Sequence, residues 1–279
     1  MLIAHFFDLI PIWLLLFGTI AIMVLFIEYG FRLGQKAHAK SKKAQTSQVR
    51  AIMGAGLGLL AFMLAFTFST AQSHFEARVQ SLAEEARIAR NAYMQADLLP
   101  EPRRSGAKLL LKDYIKLRAG ISTVSGSNFS EQIAELLRQS EQTQHELWLL
   151  AVGSEIQTGA VSDMTDRGSP FMTSVLALTD IHYTRVHSAI MNRIPFTIWM
   201  TLYLMAALSM IIMGYQAGLT ERRSPVATVT LAIAFSAVII LITDLDRPIM
   251  SFFEINKQLL VDLHDYMDAD LRLEYYPGD

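Results

Sequence analysis

Four apolar runs, residues 9–27, 51–71, 194–219 and 226–243, constrain this chain more than anything else in it. Each is about 20 residues long, the length an α-helix needs to cross the hydrocarbon core of a bilayer. Inside that core the backbone must satisfy its own N–H and C=O groups, which confines each run to a helix. The expected fold is an all-α membrane protein with four transmembrane helices. A hydrophobic content of 52% and a mean hydropathy of +0.31 agree, being too apolar for an ordinary soluble domain. The first residues, MLIAHFFDLIPIW, carry no basic stretch and no small-residue cleavage signature, so the first run reads as a retained helix.

Between the second and third runs lie about 120 polar, charge-balanced residues, enough for a domain. The expected division is a first transmembrane hairpin (1–72), an inserted helical extramembrane domain (73–193), a second hairpin (194–248) and an acidic tail (249–279). The middle segment reads as four helices. One spans 73–97 and stops at Pro100 and Pro102, which cannot continue it. A second covers 103–119 and ends at Gly120. A third runs from about Glu131, capped by Ser130, to about Ile156. The fourth opens with Ser169-Pro170, an N-cap followed by proline at the first helical position, and continues through Asn192 to Arg193-Ile194-Pro195. Two membrane helices are thus expected to extend into the domain, the second through 73–97 and the third through 170–192.

Charge sets the expected orientation. Arg32, Lys36, Lys40, Lys42, Lys43 and Arg50 follow the first run without an acidic residue among them, and Arg222 and Arg223 fill the short third connection. Short loops rich in Lys and Arg stay in the cytoplasm. Both termini and the large domain are then expected outside it, in a multi-pass protein of a bacterial inner membrane. The basic run could also meet anionic lipid, although fixing the topology is its simpler role. A net charge of −2 implies no bulk attraction to nucleic acid, and the absence of cysteine excludes thiol catalysis.

No Gly or Pro separates the membrane half from the aqueous half of AFTFSTAQSHFEAR (65–78). Steps of four and three from Gly54 pass through Gly58, Ala61, Ala65, Phe68, Gln72, Phe75, Val79, Leu82, Ala86, Ala89 and Tyr93. Small residues that let helices approach in lipid give way, in phase, to a larger apolar seam in water. One packing face serves both solvents, and self-association into a homo-oligomer would use it. A second stripe, Ala55, Leu59, Phe62, Phe66, Ser69 and Ser73, carries rings followed by hydroxyls. It could line a hydrophobic gate, although by spacing alone packing or lipid contact is the commoner role.

The aromatics, the serines and the turn His74-Phe75-Glu76-Ala77-Arg78 resemble the second helix of bacterial bestrophins, which in that family lines a pentameric anion pore. More of the chain resembles an uncharacterised bacterial bestrophin-like membrane family. The marks are Ala65-Phe66, Phe68-Ser69, Phe75-Glu76-Ala77-Arg78, Glu85-Ala86, Asp97-Leu98-Leu99-Pro100, Arg185, Arg193-Ile194-Pro195, Met213-Gly214-Tyr215 and Asp244-Leu245-Asp246-Arg247-Pro248. The resemblance implies a homo-oligomer, a pentamer as the best single number, conducting inorganic anions, with Phe62, Phe66, Ser69 and Ser73 along the pore. It also implies a soluble region inside the cell, opposite to the charge rule.

Arg78, Arg193, Asp244, Asp246 and Arg247 gather at helix ends near the membrane boundary, where a structural ion-pair network is the expected role and a gate the sharper one. His182 and His187, with Asp180 nearby, are five apart, a poor spacing for one metal on a helix. His145-Glu146 lacks a second histidine. No phosphate-binding loop, nucleophile elbow or catalytic carboxylate pair is present, so neither enzyme activity nor a cofactor or metal is expected. Two readings remain: an ion channel, and a non-conducting scaffold or envelope-stress sensor binding a partner through its helical domain.

Overall fold

A computed structural model describes residues 10–40, 46–121, 129–158, 170–191, 193–220, 225–247 and 258–275. Among them are eight helices and no strand: α1 (Ile12–Lys40), α2 (Thr46–Ala96), α3 (Arg103–Ile121), α4 (Phe129–Thr158), α5 (Pro170–Met191), α6 (Phe196–Leu219), α7 (Pro225–Asp246) and α8 (Gln258–Tyr275). Four of them, α1, α2, α6 and α7, are long and apolar enough to cross a membrane. The expected all-α class with four candidate spans is what the chain forms. The chain divides into two compact units, residues 1–76 with 192–253, and residues 77–191 with 254–279.

α2 is one unbroken helix of 51 residues, about 75 Å at 1.5 Å per residue. It contributes its first half to one unit and its second half to the other. The second expected extension does not occur. α5 ends at Met191, and α6 begins afresh at Phe196 behind Pro195, whose φ of −56° and ψ of 141° belong to extended chain. Proline disfavours helical geometry in the residue before it, so Ile194 leaves the helix and the two segments stay separate.

In the first unit α1 runs past Gly30, three residues beyond the end of the first apolar run, through to Lys40. The reason is its packing on α6. A β-carbon on Gly30 would lie 2.0 Å from the Ile211 carbonyl oxygen, and one on Gly214 would lie 2.0 Å from that of Ile27. One turn on, a β-carbon at Gly34 would come within 3.0 Å of Gly218 Cα, and one at Gly218 within 2.9 Å of Gly34 Cα. The two helices are therefore parallel, with a small-x-x-x-small pair on each at the crossing. Glycine here is a contact surface, not a stop. Leu60, Leu64 and Ala71 of α2 join Met23, Ile27, Leu202, Met210, Ile239 and Ile242 in the core of this unit.

The second unit has its own core. Leu82, Ala86, Ala89 and Tyr93 of α2 pack with Leu111, Tyr114 and Ile115 of α3, Leu147 of α4, and Phe171, Val175 and Leu178 of α5. The acidic C-terminal stretch is not set apart from it. α8 places Leu260, Leu263 and Met267 in the same core, and Lys112 of α3 pairs with Asp268 at 3.1 Å. α4 begins two residues before the expected start, which leaves Ser130 within its first turn rather than at the cap.

Candidate functional site

Two groups of side chains on α2 stand out, one in each unit. In the membrane half, Leu60, Leu64, Thr67 and Ala71 are buried and point into their own unit. At 100° per residue, the stripe Ala55, Leu59, Phe62, Phe66, Ser69 and Ser73 lies roughly 150° around the helix from that face. It points away from the chain's own core. Leu59, Phe62 and Phe66 are accordingly 49%, 66% and 56% exposed, and Ser69 and Ser73 are exposed as well. Gly54, Gly58, Ala61 and Ala65 occupy the adjacent flank and are also exposed. No atom lies within 4 Å of a β-carbon built on Gly54 or Gly58.

The continuous Gly-to-Tyr stripe therefore has two fates. Gly54, Gly58, Ala61 and Ala65 are open and Phe68 and Phe75 pack against the first unit's core, whereas Leu82, Ala86, Ala89 and Tyr93 are already consumed by the core of the second unit. A charge at Leu82 would break that core before it could report on any contact with another copy.

Among the exit charges, Asp246 Oδ1 accepts a hydrogen bond from Ile194 N at 2.9 Å, and Arg247 Nη2 donates to the Ile10 carbonyl at 2.8 Å. Asp244, Arg247 and Arg78 are buried, and none of the five charges, Arg193 included, is without a partner. Asp246 closes the end of α7 onto Ile194, just before α6. These contacts suit a fastening of the first unit.

The second group was not picked out as a site by residue spacing. Glu85 of α2 has no exposed surface. Its Oε1 accepts from Tyr114 Oη and, at 2.8 Å, from Arg118 Nε, both on α3; its Oε2 is engaged by Arg185 of α5. Gln144 of α4 donates to Tyr114 Oη at 3.3 Å and to the Leu178 carbonyl at 3.4 Å. One carboxylate thus ties α2 to α3 and α5, with α4 joined through Tyr114. Burial pushes the Tyr114 hydroxyl up to about 12, so it stays a donor, and lowers Arg185 to about 10, still a cation at neutral pH. Glu85 and Arg185 were both among the residues that mark the family resemblance. Nothing in their spacing revealed that they meet.

His182 stands beside this cluster, 1% exposed, its ring centroid 6.5 Å from that of Tyr114 and 6.0 Å from that of Tyr183. Neither ring nitrogen has a hydrogen-bond partner. Burial, then the nearby Arg118 charge, lower its pKa to about 4. The side chain of His187 lies outside the described residues. Among the described residues no group of His, Asp and Glu is placed to hold a metal ion.

A second polar cluster fastens α8. Lys108 Nζ lies 2.6 Å from Asp97 Oδ1 and 3.2 Å from Asp270 Oδ2, and Tyr93 Oη donates to the same Asp270 oxygen at 2.9 Å. Burial disfavours the lysine charge, but the two carboxylates outweigh it and raise its pKa.

A family model described as "Bestrophin-like domain" matches residues 17–259. No curated protein and no solved structure gives a significant match.

Proposed function

The chain belongs to the bestrophin-like family, and on that premise we propose that it forms a homo-oligomeric ion channel in a bacterial inner membrane. The second membrane helix lines the pore, the helical unit stands outside the bilayer, and inorganic anions pass. The observation that carries this reading is the exposed stripe Leu59, Phe62, Phe66, Ser69 and Ser73, turned away from the subunit's own core. In a ring of subunits, a helix that lines the axis must turn its back on the rest of its subunit. The small flank of Gly54, Gly58, Ala61 and Ala65 then meets the neighbour, where close backbone approach is favoured in lipid. The rings of Phe62 and Phe66 form the narrowest part and gate by excluding water; the hydroxyls beyond them open a polar vestibule. The number of subunits is five by resemblance to bestrophins.

Charge supports an orientation with the termini and the helical unit outside the cytoplasm. Because α1 and α6 are parallel, their C-terminal ends lie together, and the basic residues Arg32 and Lys36 of α1 stand at that end. Thiol labelling of Ser41→Cys and Ser125→Cys in this cysteine-free chain tests it. Labelling from outside at 125 but not at 41 is expected, and the reverse overturns the orientation.

Conduction is tested by anion flux from liposomes. Phe66→Ala, alone and with Phe62→Ala, is expected to raise flux while the oligomer stays intact. If the wild-type protein and both variants release no more anion than empty liposomes, the channel reading fails. A non-conducting scaffold that binds a partner through the helical unit then takes its place.

A further inference from the structure

Four helices of the second unit converge on a buried polar cluster whose only unpartnered ring, among the described residues, belongs to a histidine. Tyr114 of α3 and Tyr183 of its own helix α5 lie against His182, with the Arg118 charge of α3 nearby; Arg118 is bonded to Glu85 of α2, which Arg185 of α5 also engages, and Gln144 of α4 is bonded to Tyr114. Glu85 is the carboxylate of this group, and three donors already engage it: Tyr114, Arg118 and Arg185. Gln144 spends its amide nitrogen on Tyr114 and the Leu178 carbonyl. A proton on His182 would therefore create a cation beside Arg118, cut off from water, with no carboxylate left to receive it.

We propose that this cluster is an acid-sensitive lock: protonation of His182 releases α5 from α2 and α3 and opens the second unit. A buried cation without a counter-charge is one of the costliest arrangements in a protein interior, and the chain avoids it by opening. The sign follows from linkage. The open form, with its histidine in water, binds a proton near the ordinary value of 6.5, whereas the closed form resists it down to about 4. The closed form is at full strength above pH 6.5 and loses ground as pH falls through the window from 6.5 to 4. At pH 5 the opening constant is expected to be about 30-fold larger than at pH 7.5. The lock lies wholly within the second unit. It does not depend on whether the chain conducts.

Hydrogen exchange on the full-length protein in detergent tests the lock. Protection factors for α5 and for residues 77–96 are compared at pH 7.5, 6, 5 and 4.5, corrected for intrinsic exchange. In the wild type, protection of α5 should fall about 30-fold between pH 7.5 and 5, beginning near 6.5. In His182→Phe, which keeps a ring of similar size and cannot take a proton, the fall should vanish; His182→Gln serves the same purpose if the phenylalanine does not fold. A wild-type profile that is flat to pH 5, or begins to fall only below it, overturns the proposal, because carboxylates and not histidine would then be responsible. An equal fall in wild type and variant overturns it as well.

Discussion

The carbonyl oxygen of Ile211 stands 2.0 Å from where a side chain on Gly30 would begin. The obstacle is backbone, so no rotamer change can relieve it. Gly214 meets the Ile27 carbonyl in the same way. Gly30→Ala and Gly214→Ala are each expected to force α1 and α6 apart and to cost about 1–3 kcal/mol, the usual range for overpacking. Gly54→Ala, with open space around it within its own chain, should be tolerated by the dissociated subunit and should gain up to about 1 kcal/mol in helix propensity. Thermal unfolding of the three variants in one detergent measures the contrast. Equal effects at positions 30 and 54 would refute the crossing.

The exposed flank of α2 separates folding from assembly. Gly58→Leu should not lower the thermal stability of the isolated chain and should reduce the oligomer to smaller species, read by mass photometry in nanodiscs. Nothing lies within 4 Å of a β-carbon at Gly58, so the chain itself offers no clash. A full-size oligomer in this variant would exclude that flank from the subunit contact.

Glu85→Ala leaves Arg118 and Arg185 buried without the carboxylate that joins them. Stripping one partner from a buried charge network costs about 3–5 kcal/mol. Glu84, its neighbour in sequence, pairs with Arg87 on the exposed surface, and Glu84→Ala should change stability little. Chemical denaturation followed by circular dichroism compares the two. Similar losses would contradict the burial of Glu85.

Lys108→Met should loosen α8, because Asp97 and Asp270 lose the ammonium they share. Tyr93→Phe removes one hydrogen bond to Asp270 and should cost about 1 kcal/mol. Limited proteolysis reports the release as faster cleavage within residues 258–275. Unchanged cleavage in Lys108→Met would show that the hydrophobic contacts of Leu260, Leu263 and Met267, with Lys112–Asp268 and Tyr93–Asp270, hold α8 without the Lys108 ammonium.

What the sequence by itself determined rests on local physics. Apolar length made four helices long and apolar enough to cross a membrane. The absence of Gly and Pro across residues 65–78 kept α2 whole, and Pro100 and Pro102 placed the break before α3. The helical period put Phe62 and Phe66 on one face, and the burial of Leu60 and Leu64 in the folded chain then showed that this face points outward. The tertiary structure decided what depends on a distant partner. Gly30 reads locally as a place for a helix to end, and only the approach of α6 turns it into a point where the helix must continue. Pro195 is the exception, parting α5 from α6 by a local effect on the residue before it. Glu85, Arg118 and Arg185 look like solvated charges on three separate stretches, since helical periodicity says nothing about residues that meet only when the chain folds back. His182 owes its character to that same meeting, because a side chain's cost of ionisation is set by what surrounds it and not by its neighbours in sequence.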